Sequence, residues 1–265
     1  MRIYMFMSPE ELMRVGAYGI EPYMPSSRVN MMLQRYISSN PRKVDVGGGR
    51  TVNLTTKAIY GSLVSSALNI SSKYRLYKKG EIVFVHIRPS ISYPIVVAPY
   101  KYRLALHSLI LLKENAPEFE NGNFRSVREA MGYYVKTYWD NVMNIDKARE
   151  AMVNEAKMKA GNLTVEYVLR SIAEEKEVLI YQPLEPEYMY VKLRAKEYEP
   201  FMDWLYRHRG LYKFAESQAK TKRDANRVRT MFKHFMERYR IFKEKAKMKN
   251  IYGGKKVALY VPPRW

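Results

Sequence analysis

The chain has no cysteine, four histidines among its 265 residues, and no run of eighteen apolar residues. Without cysteine there is no disulfide, no thiol nucleophile and no zinc site built on thiolates. The longest apolar run near a helix, Leu104 to Leu112, is interrupted by His107 and Ser108. That is the length of a core helix, so no membrane span is expected. His86, His107, His208 and His234 form no HxH or HxxxH pair. A metal site would need ligands gathered from distant segments, and neither metal nor cofactor is expected. There is no GxSxG and no GxxxxGK[ST]; Gly47-Gly48-Gly49-Arg50-Thr51 lacks the phosphate-loop spacing and reads as a connection. Met1 to Met7 is too short for a signal peptide and no small-residue cleavage site follows it, so an intracellular protein is expected.

What is present is positive charge, unevenly placed. The net charge is +20. Residues 1–100 hold 13 Lys+Arg against 5 Asp+Glu, residues 101–195 hold 14 against 14, and residues 196–265 hold 19 against 7. So polarised a distribution suggests a surface that faces a polyanion.

The pattern predicts an α+β fold, predominantly helical, with a small mostly antiparallel sheet and a long basic C-terminal helix. Ser8-Pro9-Glu10-Glu11 reads as a capped start of a short helix to about Tyr18. A second helix starts at Ser26 or Ser27, carries Val29, Met32, Leu33 and Tyr36 on one face, and ends at Asn40-Pro41. Ile59, Leu63, Ala67 and Leu68 stand at helical spacing and predict a third. Residues 73–98 read as β structure: Arg75 to Tyr77, a turn at Lys78 to Glu81, then Ile82 to Ile87 and Ile95 to Ala98. Their β-branched, weakly alternating runs predict strands covered on both faces. Helices are expected over Tyr102–Lys113, over Ser126–Lys159 with a bend near Asn144, and from Thr164. Val178 to Tyr181 and Tyr188 to Leu193 read as strands. Pro200 opens a helix to about His208, and one long helix is expected from Leu211 to Met248. A boundary near Lys196 would separate a mixed α+β domain, 1–195, from a basic helical region with a short tail, 196–265, unless the two form one continuous domain.

The C-terminal helix carries the clearest candidate site. Ala215, Ala219, Val228, Phe232, Phe235, Tyr239, Phe242 and Ala246 recur every three or four residues as an apolar stripe. The other faces hold Lys220, Lys222, Arg223, Arg227, Arg229, Lys233, Arg238, Arg240 and Lys245. Like charges at i,i+4, such as Arg223 and Arg227, destabilise an isolated helix by a few tenths of a kcal/mol per pair, so their accumulation points to a negative partner. Nucleic-acid backbone, gripped without sequence preference and DNA first among candidates, fits best; a solvated face, or a membrane surface or acidic protein, are the rivals. Tyrosine is abundant, at 23 residues, and Tyr239, Tyr252 and Tyr260 in the basic tail are the interface candidates. Glu114, Glu118, Glu120 and Glu129 surround a loop where paired acids could hold Mg²⁺ for a nuclease, though without a strand-anchored Asp or a Lys beside them.

In overall character, with no cysteine, abundant Tyr, Ile and Lys, compact length and no common enzyme motif, the chain resembles proteins encoded by viruses of hyperthermophilic archaea. The resemblance is one of composition and transfers no residues. It implies a virion component or a virus–host factor, located in the virion or the host cytoplasm. The expectation is therefore a non-enzymatic basic protein that binds nucleic acid, alone or within a virion or homo-oligomer. Two rivals stand beside it: a structural protein assembling through Tyr-rich surfaces, and a divergent metal-dependent nuclease or integrase.

Overall fold

The structure is a computed structural model describing residues 3–7, 11, 19–64, 83–87, 93–112, 123–184, 189–191, 203 and 206–252. Its elements run in chain order as β1 (Ile3–Met7), α1 (Arg28–Ser39), β2 (Lys43–Gly47), β3 (Arg50–Asn53), β4 (Ile59–Ser62), β5 (Val83–Ile87) and β6 (Ile95–Pro99). There follow α2 (Tyr100–Leu112), α3 (Val127–Asp140), β7 (Met143–Asn144), α4 (Ile145–Lys159), α5 (Val165–Glu174) and β8 (Lys176–Ile180). The chain continues through β9 (Met189–Val191), α6 (Gly210–Ser217) and α7 (Lys222–Tyr252). The fold is α+β and mainly helical. It divides into two units assembled from separated stretches: one of Met1–Ile20, Leu68–Ser90 and Leu184–Trp265, the other of Glu21–Ala67 and Ile91–Pro183.

The second unit has an antiparallel sheet in the order β7-β6-β8-β4, with Val96 opposite Leu179 and Ile59 opposite Ile180. Both middle strands are buried along almost their whole length. On one face Val96, Ala98 and Leu179 pack with Val29, Leu33, Leu106, Tyr138 and Trp139 from α1, α2 and α3. Alternation turns Ile95, Val97 and Val178 to the other face, and they too are buried. Helices α4 and α5 pack together through Met152, Ala156, Val168 and Ile172. Strands β2 and β3 form a hairpin whose tip needs positive φ at Gly47, Gly48 and Gly49, where a side chain would be strained. The glycine run is thus explained as a turn.

Local chemistry sets the helix starts. The side chains of Ser27, Ser126, Asn144 and Thr164 each accept a hydrogen bond from the first turn of α1, α3, α4 and α5. At α3 two bonds fix the start: Ser126 Oγ accepts from Glu129 N at 3.1 Å, and Glu129 Oε2 reaches back past the cap to accept from Arg125 N at 2.8 Å.

Three expectations are corrected. Ile59 to Ser62 is a strand: its spacing suits a helix, but pairing with β8 decides. The helix expected over Ser126–Lys159 is broken between Asp140 and Ile145, because Asn144 pairs with Val96 and caps α4. The helix expected from Leu211 is broken at Gln218 to Thr221. The helix expected over Ser8–Tyr18, apart from Glu11, the turn at Lys78–Glu81, the strand at Arg75–Tyr77, the tail after Tyr252 and most of the Pro200 helix lie outside the described residues.

The first unit contains the antiparallel set β1-β5-β9 and the helical hairpin of α6 and α7. Backbone bonds of 2.9 Å run both ways between Ile20 and Leu184.

Candidate nucleic-acid interface

The start of α7 is set by Thr221. Its Oγ1 accepts from Asp224 N at 3.1 Å and donates to Asp224 Oδ2 at 2.8 Å. Asp224 also places a negative charge in the first turn, where the helix dipole favours it. The four-residue turn Gln218 to Thr221 lets α6 fold back along α7.

The hairpin closes through a regular ladder. Lys243 Nζ meets Asp203 Oδ1 at 2.8 Å, and Tyr206 stacks on Tyr239 with centroids 4.3 Å apart. Tyr212 stacks on Phe235 at 5.6 Å, and Arg229 Nε reaches Glu216 Oε1 at 2.5 Å. From Asp203 to Glu216 the numbers rise by 13 while their α7 partners fall by 14, from Lys243 to Arg229, as a chain folding back antiparallel requires; Asp203 and Tyr206 precede α6. Val228, Met231, Phe235 and Tyr212 are buried in the seam. Burial raises the Tyr212 phenol well above its ordinary range. Asp203 accepts from both Lys243 and Tyr239, and the Lys243 hydrogen bond holds its carboxyl below the usual value.

The seam leaves the opposite side of α7 to solvent. Lys222, Arg229, Lys233 and Arg240 stand seven, four and seven residues apart, within about 40° of arc and along about 27 Å of axis. All four are exposed, as are Lys220 and Arg223 beside the helix start. Glu237 and Glu244 share this ridge.

The expected cations are not equivalent. Among the described residues no carboxylate lies at ion-pair distance from Lys220, Lys222, Arg223 or Lys233. Arg229 is held by Glu216, and Arg240 lies 3.8 Å from Glu244, one turn along. Arg227 is half-buried with contacts of its own. The side chains of Arg238, Lys245 and Tyr252, and all of Tyr260, lie outside the described residues. Tyr239 is half-buried and engaged within the hairpin by Tyr206 and Asp203.

One polar cluster escaped the sequence reading. In the second unit Arg103 Nε donates to Glu177 Oε1 at 2.7 Å, Arg103 Nη2 donates to the Tyr138 hydroxyl at 3.0 Å, and Nη1 donates to Asn30 Oδ1. The Tyr138 hydroxyl donates to Glu177 Oε1 at 2.6 Å. The guanidinium also lies over the rings of Tyr60 and Tyr138. Burial pushes the Tyr60 phenol to about 12, and burial with Arg103 nearby lowers His107. Arg103, Glu177, Asn30 and Tyr138 are all buried, so the cluster has no open side for a substrate and acts as a structural tie. Its signal was Glu177 set beside the apolar run Val178-Leu179-Ile180.

Among the described residues no group of three or more His, Asp or Glu is placed to hold a metal ion. Glu129 is engaged in capping α3, and Glu114, Glu118 and Glu120 lie outside the described residues. Among the described residues no helix is long and apolar enough to cross a membrane. No protein-family model matches the chain, and no curated protein or solved structure matches it significantly.

Proposed function

We propose that the chain binds nucleic-acid backbone through the outward ridge of α7 and the turn before it. One observation carries the reading: Lys222 and Lys233 are exposed on the helix side opposite the aromatic seam, Lys220 and Arg223 are exposed beside the helix start, and none of the four has an acidic partner among the described residues. Several cations held on one rigid helix suit a row of phosphates, and such contacts fix position without reading sequence. Arg229 and Arg240, on the same ridge, are tied to acids and contribute less. The binding is non-catalytic, and we place it within a nucleoprotein assembly such as a virion, following the compositional resemblance to proteins of hyperthermophilic archaeal viruses.

The test is fluorescence anisotropy with duplexes of unrelated sequence, each of about 30 base pairs, across a salt series. Four phosphate contacts predict a slope of log K against log salt of roughly −3 to −4, the same for every sequence. A slope near zero, or binding to one sequence only, would refute the reading.

A further inference from the structure

A second surface, in the unit of Glu21–Ala67 and Ile91–Pro183, has a different chemistry. Helices α1 and α3 flank a trough of about 690 Å³ with the end of α2 beneath it. Its floor is apolar: Met32, Leu109, Met131 and Val135 line it, and Leu109 and Val135 are buried. Its rim is basic. Arg28 and Arg35 stand on one wall and Arg128 on the other, all exposed. Among the described residues no carboxylate pairs with any of the three.

We infer that this trough docks an acidic amphipathic helix of a partner protein. Length and charge spacing select that occupant. The α1 wall from Arg28 to Ser39 runs three turns, about 16 Å, which suits a helix of similar length lying along it. Arg28 and Arg35 are two turns, about 10 Å, apart. Carboxylates seven residues apart on a docked helix meet both, while its apolar face covers the floor. An amphiphile with a single charged head meets only one. Met32 and Met131 give the floor adaptable, polarisable side chains, as suits helix capture. Gly132 on α3 lines the trough, and a Cβ there would meet nothing within 4 Å, so a larger side chain has room to occupy it.

The test uses the full chain with isotope-labelled methionine methyls, assigned by Met32→Leu and Met131→Leu. The probe is a synthetic peptide of about 16 residues with Leu on one helical face and Glu flanking it. Peptide addition should shift the Met32 and Met131 methyls with one common affinity. Arg28→Glu with Arg35→Glu should weaken binding about tenfold or more, since like charges then face each other. Gly132→Leu should abolish the shifts by filling the trough. It puts a better helix former on an exposed position, so the fold is retained. The inference is overturned if the shifts fall on other methionines, if a scrambled non-amphipathic peptide of the same composition binds equally well, or if laurate shifts these two methyls while the peptide does not.

Discussion

Arg103 and Glu177, separated by 74 residues in sequence, form a buried ion pair at 2.7 Å that ties α2 to the central strand β8. The side chains are 7% and 9% exposed, so neither charge has water to fall back on. Removing the guanidinium strands a carboxylate and leaves Asn30 without its partner. Arg103→Leu should therefore cost about 3–5 kcal/mol in urea unfolding, whereas a surface pair is worth under about 1. A loss below about 1 kcal/mol would show the cluster to be incidental.

The phenols predict alkaline behaviour. Burial pushes Tyr60 to about 12 and also raises Tyr181 and Tyr212. Their folded values exceed the ordinary value of 10.0, so the stability from keeping them neutral is complete below pH 10.0 and is lost as pH rises above it. Phenolate absorbance should show a subset of tyrosines ionising only as the far-ultraviolet dichroism collapses. Ionisation of all tyrosines near pH 10.0, with the helix signal intact, would contradict this.

Asp203 gives the opposite sign. The Lys243 hydrogen bond lowers its carboxyl below the ordinary 3.8, so the stabilisation is complete above that pH and is lost as pH falls through the lower folded value. The pair is partly exposed, and Asp203→Asn should cost only about 0.2–1 kcal/mol near neutral pH. The wild type should lose that advantage in acid, below about pH 4. An unchanged difference between the two proteins across the acid range would count against the assignment.

Thr221→Ala should destabilise the α6–α7 hairpin by about 0.5–2 kcal/mol, because the first turn loses its cap. Hydrogen exchange at the Asp224 amide reads this directly. Unaltered protection there would mean the hairpin seam alone sets the helix start.

The sequence made some of this legible and hid the rest for definable reasons. The α1 helix could be read from Ser27, Val29 and Leu33 because capping and periodicity are local. The β6 and β8 strands could be read from their β-branched runs. Ile59 to Ser62 could not, since helical spacing was overruled by pairing with Ile180, far along the chain. The breaks before α4 and α7 had signals in Asn144 and in Thr221-Lys222-Arg223-Asp224, but the apolar period crosses both and masks them. At the candidate interface the charge was plain. Which cations are neutralised was not: Glu216 reaches Arg229 and Asp203 reaches Lys243 only because the chain folds back at Gln218 to Thr221.

That neutralisation is itself testable. Glu216→Gln releases Arg229 onto the ridge, and should steepen the salt slope of DNA binding by about 0.9. An unchanged slope would place the phosphates away from Arg229.

The central claim is decided by comparing the salt slopes of wild type and a Lys222→Gln, Arg223→Gln, Lys233→Gln variant on one duplex, with matched dichroism showing both folded. Loss of three phosphate contacts should flatten the slope by about 2.7, with affinity falling for every sequence alike. Equal slopes and equal affinities in the two folded proteins would contradict the account and move nucleic acid, if bound at all, to another face.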